Sequence, residues 1–334
     1  IYGSSNIAIG WIALGNNTCG CNNIAQGYNA LFNNTTGGNN FASGYQALYS
    51  NVYGNNNFAS GYQALYSDIG SCDKIAIGYQ SMYWNTTYGQ SNIGLGYQTL
   101  YCNLYGSSNI ALGCNTLRNN KGGTYNVALG REALYTNDGS NNIAIGFRTL
   151  YCNTTGSNNC AVGYQALYNN TTGVTHIAIG TQALYTNDYG IRNIAIGHQA
   201  GNTNQGNGAI AIGHGAGNLN QAANSIVITA NGNLTSTNAG FYVNPIREAG
   251  AANTLYFDTT TKEITFGPLT NYGNSNVANY LPIYSGVMTA VGNITSSGII
   301  TAPYLVGDGS NISNITITSN SEEQGRKFDG GKLE

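Results

Sequence analysis

Three histidines are the first residues in this chain that could do metal or acid–base chemistry: His176, His198 and His214. His198 and His214 each follow directly on a glycine in adjacent copies of a repeat, Gly197 and Gly213. Equivalent positions in stacked repeats put two imidazoles next to each other, and in a three-fold assembly six of them could hold a metal or an anion. The same position elsewhere carries Trp11, Tyr28, Tyr45, Arg131 and Thr181, a set typical of an exposed slot. The expectation is therefore stacked, solvated histidines with no metal bound. No nucleophile elbow, zinc-protease phrase or phosphate loop occurs in the sequence, and Asp138, Asp188 and Asp308 are too scattered for a calcium-binding repeat. The sequence predicts no enzyme, no catalytic residue and no cofactor.

Two other side-chain types are placed regularly enough to act together. Tyr49, Tyr66 and Tyr83 form one run at repeat spacing, and Tyr135, Tyr151, Tyr168 and Tyr185 form a second. Exposed tyrosines can stack on sugar faces, so these seven are the candidate ligand-binding ladder. The structural alternative is a cross-repeat ladder that only stabilises the stack. Of the seven cysteines, Cys102 and Cys152 share one slot, and Cys21 and Cys72 another. Each pair lies three repeats apart, roughly 14 Å at a strand spacing of about 4.8 Å, which is beyond disulfide reach. Most are expected to be free, small apolar residues. Asn-X-Ser/Thr sequons occur at Asn34, Asn85, Asn153, Asn170, Asn293 and Asn314. They would matter only on a eukaryotic secretory route.

The element that positions all of these is the repeat. Asn-Ile-Ala-Ile-Gly or a close variant recurs thirteen times, its glycines running from Gly10 and Gly27 to Gly197 and Gly213 at spacings of 16, 17 or 18 residues. So tight a period, held over so many copies, specifies a solenoid. The predicted fold is all-β: a parallel β-roll of about 13 coils with a period of ~17, roughly 60 Å long at strand spacing. Composition agrees, with only 7% charged residues, 47 glycines and 26 tyrosines. A net charge of −2 gives no electrostatic case for nucleic acid, and no apolar run reaches membrane-spanning length. The chain opens at Ile1, and the expectation is a fragment or processed product.

Read column by column, the position two before the glycine is Ala in twelve copies and Gly94 in the other. The position three after it is always Ala, Ser or Thr. The sequence Tyr-Gln-Ala-Leu-Tyr at 45–49, 62–66 and 164–168 is expected to form a second strand of each coil. The residues on either side of the first Ala column are bulky, as in Ile75 and Ile77, Ile143 and Ile145, Ile177 and Ile179, and Ile194 and Ile196. Side chains alternate along a strand, so Ala and Ile face opposite ways and both faces are apolar. One coil covers only one face. Small residues are expected inside the roll and the isoleucines at an interchain seam, with a homotrimer as the simplest closed packing. Gln26, Ser43 and Ser60 interrupt the second Ile column: either that stretch is less buried, or polar groups meet around the axis and hold water in preference to an ion. Asn precedes the first Ile in ten of the thirteen copies, and stacked Asn side chains would satisfy turn backbone groups.

Asn-Ile-Ala-Ile-Gly with a small residue three positions on resembles the coil of trimeric autotransporter adhesin heads, which are left-handed parallel β-rolls that trimerise. The coil here is longer, and Tyr-Gln-Ala-Leu-Tyr is not that family's usual second strand. The longer form is similar to repeats of viral and phage fibre proteins, some ending in a self-cleaving intramolecular chaperone domain. Phe241–Arg247, Leu255–Phe266 and Ala302–Asn311 look like the segments that precede such a domain, which the sequence does not contain. The resemblance implies an extracellular homotrimeric fibre or adhesin on a virion or cell surface, meeting a host glycan or protein receptor. A spacer filament without a receptor site is the alternative, as is an ice- or polysaccharide-binding solenoid. The expected organisation is a solenoid over 1–229 capped by Ile226–Thr229, a connector with a hairpin over 230–270, a trimeric β-stalk over 271–320, and a flexible charged tail over 321–334.

Overall fold

The computed structural model describes residues 3–245 apart from 86–87 and 231, then 253–258, 260–261, 264–268, 328–329 and 332–333. The contacts divide the chain into two units, residues 1–248 and 249–334. The first is a parallel β-solenoid. Fifteen short strands, one per coil, form a single parallel sheet from Ile7–Ile9 to Gly240–Asn244. The register is the repeat itself: Ile75 pairs with Ile93, Ala76 with Gly94 and Ile77 with Leu95. The stack therefore runs past residue 229. Ile226 pairs with Phe241 and Val227 with Tyr242, so Gly240–Asn244 adds a strand beyond the expected cap.

The strands bury Ala and expose Ile. Ala76, Ala144, Ala178 and Ala195 are fully buried, while Ile75 and Ile77 on either side of Ala76 are each 38% exposed. The second small column, Ala47 to Ala200, is buried too, and beside it runs a leucine column from Leu31 to Leu184. Each buried leucine contributes roughly 1.5–3 kcal/mol, once per coil. Gly94 takes the alanine position because a Cβ there would lie 3.1 Å from Met82 Cε and 2.9 Å from Ser81 Oγ. The longer Met82 stands in the leucine column of the preceding coil and reaches into that space.

The expected second strand is not one. Over Tyr-Gln-Ala-Leu-Tyr the backbone alternates into the left-handed region, with φ of 52° at Gln63 and 51° at Leu65. Its N–H groups bond in both directions, Gln63 N to Tyr45 O at 2.8 Å and Leu65 N to Ser81 O at 3.0 Å. A left-handed non-glycine residue costs about 1–2 kcal/mol. Burial of the leucine and the inter-coil hydrogen bonds offset it. Trp84–Asn85, Cys102–Asn103, Asn119–Asn120 and Thr136–Asn137 form a further ladder, four parallel strands of two residues each, and single parallel bridges join Thr186 to Thr203 and Thr203 to Leu219. The coil glycine needs its own freedom: Gly78 has φ 127°, and a Cβ there would meet Gly96 O at 2.4 Å.

In the second unit Asn253–Phe257 pairs antiparallel with Ile264–Pro268, Leu255 opposite Phe266, as the hairpin pattern predicts. In the tail, Phe328–Asp329 pairs antiparallel with Lys332–Leu333. The stalk assigned to 271–320 lies outside the described residues.

Candidate binding surface

Each column of the repeat becomes a line of identical contacts about one coil apart. The two tyrosine runs belong to one line. Phe32, Tyr49, Tyr66, Tyr83 and Tyr101 stack with centroids 5.0–5.4 Å apart and planes within 9°. Tyr135, Tyr151, Tyr168 and Tyr185 continue it at 5.0–5.2 Å. Arg118 fills the missing position, its guanidinium 4.8 Å from the Tyr101 centroid and 5.9 Å from that of Tyr135. A cation over two ring faces carries the stack across the break. These tyrosines are half-buried rather than exposed. Burial first, then the neighbouring phenols, pushes the hydroxyls of Tyr66, Tyr83 and Tyr151 up, so they stay neutral.

A second aromatic line is the more exposed. It occupies the position directly after the glycine: Tyr28, Tyr45, Tyr62, Tyr79 and Tyr97, 41–48% exposed and stacked at 5.1–5.2 Å. Next to it in sequence runs an amide ladder in which Gln63 Nε2 donates to Gln46 Oε1 at 2.9 Å, Gln80 to Gln63 at 3.0 Å and Gln98 to Gln80 at 2.9 Å. Glu132 replaces the amide further along and accepts from Arg148 Nε at 2.6 Å. In both aromatic lines the ring faces are turned to one another. What remains for a partner is ring edges and phenol hydroxyls, together with the faces at the ends of a run.

The third surface is the apolar ridge. Ile143, Ile145, Ile177, Ile179 and Ile196 are 37–41% exposed, and Ile194 is half-buried. The ridge changes character in the early coils, where Gln26, Ser43 and Ser60 follow Ile9 in register and Phe41 stacks on Phe58 at 4.6 Å.

His198 and His214 stack like the tyrosines, with centroids 5.1 Å apart. Among the described residues no group of three His, Cys, Asp or Glu could hold a metal ion, and no helix is long and apolar enough to cross a membrane. All seven cysteines are free thiols. The sequons have a plain answer: Asn34, Asn85, Asn153 and Asn170 are buried inside the coils, closed to glycosylation in the folded chain. Asn293 and Asn314 lie outside the described residues.

The interior carries two asparagine columns. In one, the asparagine before the first Ile bonds the coils on both sides: Asn40 N donates to Asn23 Oδ1 at 2.9 Å, and Asn40 Nδ2 to Gly54 O at 2.8 Å. In the other, which sequence reading did not single out, Asn51 Nδ2 donates to Asn34 Oδ1 at 2.9 Å, and Asn120 Nδ2 to Asn103 Oδ1 at 2.7 Å. The coil therefore has a polar as well as an apolar interior. Compared with protein-family models, curated proteins and solved structures, the chain finds no match.

Proposed function

We propose that this chain is a structural fibre segment: a homotrimeric β-solenoid shaft on a virion or cell surface that supports attachment to a host surface without catalysis. The observation that carries this reading is the isoleucine ridge. A single chain leaves large apolar side chains half-exposed in coil after coil, and contiguous apolar surface of that kind marks an interface. Three identical rods, each with one ridge, bury all three around a common axis and leave no open interface. The aromatic and glutamine lines remain as the outward repeat, and the exposed run from Tyr28 to Tyr97 is the stretch offered to a receptor.

Light scattering on the purified chain tests the assembly, with three chains per particle expected and a stable monomer overturning it. A glycan array and a host-cell binding assay on the same sample test attachment. Loss of binding in Tyr45→Ser and Tyr62→Ser variants that remain trimeric would locate contact on the outer line. The half-buried line is tested by Tyr66→Ser and Tyr168→Ser: binding unchanged with stability lowered removes it from any ligand role.

The second reading is a spacer filament with no receptor site. The covered ring faces favour it, because sugar recognition by stacking needs a free face. A trimer that binds neither array nor cells is the outcome that selects it.

A further inference from the structure

One coil breaks its polar interior at three positions together. Asp68 stands in the asparagine column of Asn51 and Asn85, Ser71 in the glycine column of Gly54 and Gly89, and Lys74 in the other asparagine column. The three residues meet. Lys74 Nζ lies 3.1 Å from Asp68 Oδ1, and Ser71 Oγ donates to Asp68 and contacts Lys74 Nζ. Asn85, one coil on, completes the group. With its carboxamide oxygen turned to Lys74 Nζ it accepts from the amine, and its nitrogen donates to Asn103 O at 2.7 Å. Lys74, Asp68 and Ser71 are 0% exposed and Asn85 is 2% exposed.

As a mere ion pair this cluster is an expensive replacement for two asparagines that work in the other coils, since desolvating two charges offsets most of their attraction. Two unpartnered acceptors point to a proton on Asp68. Asp68 Oδ2 and Asn51 Oδ1 are both buried acceptors without a partner. In neighbouring coils the same contact is an amide N–H on a carboxamide oxygen, as in Asn51 to Asn34. A proton on Asp68 supplies the missing donor. Burial pushes the Asp68 carboxyl up and the Lys74 amine down, each against the pull of the other's charge. Burial thus favours the uncharged form of each group, and a desolvated lysine in its uncharged form is a nucleophile.

We propose that Lys74 forms an intramolecular amide bond with Asn85, with Asp68 as the acid–base residue, covalently joining two successive coils. The Nζ lone pair attacks Asn85 Cγ while the Asp68 carboxyl protonates the amide oxygen. The Asp68 carboxylate takes a proton from Nζ and delivers it to Nδ2. The Cγ–Nδ2 bond breaks, the oxygen gives up its proton to Asp68, and ammonia leaves. Asp68 ends as it began, and no oxidant or further reactant enters. Ser71, bonded to both Asp68 and Lys74, is a positioning residue. Holding the reacting groups in contact in a buried core supplies the proximity such a reaction needs.

The test is the intact mass of the purified full chain under denaturing conditions, followed by peptide mapping. The expected chain is lighter than its sequence by one ammonia, with a branched peptide joining residues 74 and 85. Asp68→Asn and Lys74→Asn each restore the residue that the column carries elsewhere, so both are expected to fold, checked by circular dichroism, and to keep the ammonia. A wild-type chain at its full sequence mass overturns the proposal. Loss of one water with a link from Lys74 to Asp68 overturns the choice of Asn85. An Asp68→Asn chain that still carries the 74–85 link overturns the role of Asp68.

Discussion

His176 occupies the asparagine column one position before Ile177, and it imitates the residue it replaces. Its Nδ1 accepts from Asn193 N at 3.2 Å, as an asparagine Oδ1 does in other coils. Its Nε2 meets Asn187 Nδ2 at 3.2 Å, drawing that amide away from Asn170 Oδ1, which is left without a partner. Desolvation lowers its pKa from 6.5 to about 4, against backbone hydrogen bonds from Gly190 and Asn193 that raise it. A histidine whose folded pKa is depressed binds fewer protons folded than unfolded between those values. Stability is therefore complete above about pH 6.5 and falls as pH drops towards 4, by roughly 3 kcal/mol in all. His176→Asn should remove this acid sensitivity, so that melting temperatures at pH 5 and pH 7.5 converge. Gly78→Ala should cost about 2 kcal/mol or more in denaturant unfolding, because the new Cβ needs both a strained φ and the space of Gly96 O.

At the scale of the element, the coil is one strand followed by a left-handed zigzag, and side-chain columns bind it to the next coil. The aromatic column is continuous only through Arg118, which also donates from Nε to Gln98 Oε1 at 3.3 Å. Arg118→Ala should lower stability by about 1 kcal/mol, whereas Arg118→Tyr should hold or raise it by restoring a ring. Urea midpoints at a fixed slope read the difference. Tyrosine spacing made both runs legible in the sequence. The arginine bridge was not, because a cation and a ring share no compositional pattern.

For the whole solenoid the question is what covers the ridge. If three chains share it, Ile145→Lys together with Ile179→Lys should yield monomers by light scattering and abolish the concentration dependence of the melting temperature. The far-UV β signature should persist, since these side chains point away from the alanine and leucine interior. A variant pair that stays trimeric would move the seam elsewhere.

The sequence by itself determined the period and the single direction of the stack; it favoured Ala as the inward face but left that choice open, and the burial of Ala76 between half-exposed Ile75 and Ile77 decided it. Period and direction follow from spacing, which a repeat displays thirteen times over. Only the tertiary structure decided that Tyr-Gln-Ala-Leu-Tyr is not a strand, because φ at Gln63 and Leu65 is set by contacts between coils and not by local propensity. It also decided the meaning of the exceptions. Lys74 and His176 are visible in the sequence as breaks in an asparagine column, but what each touches depends on the coil above and below. Lys74 and Asn85 are ordinary residues along the chain. Winding brings them together in a core closed to solvent, where burial disfavours the charged amine.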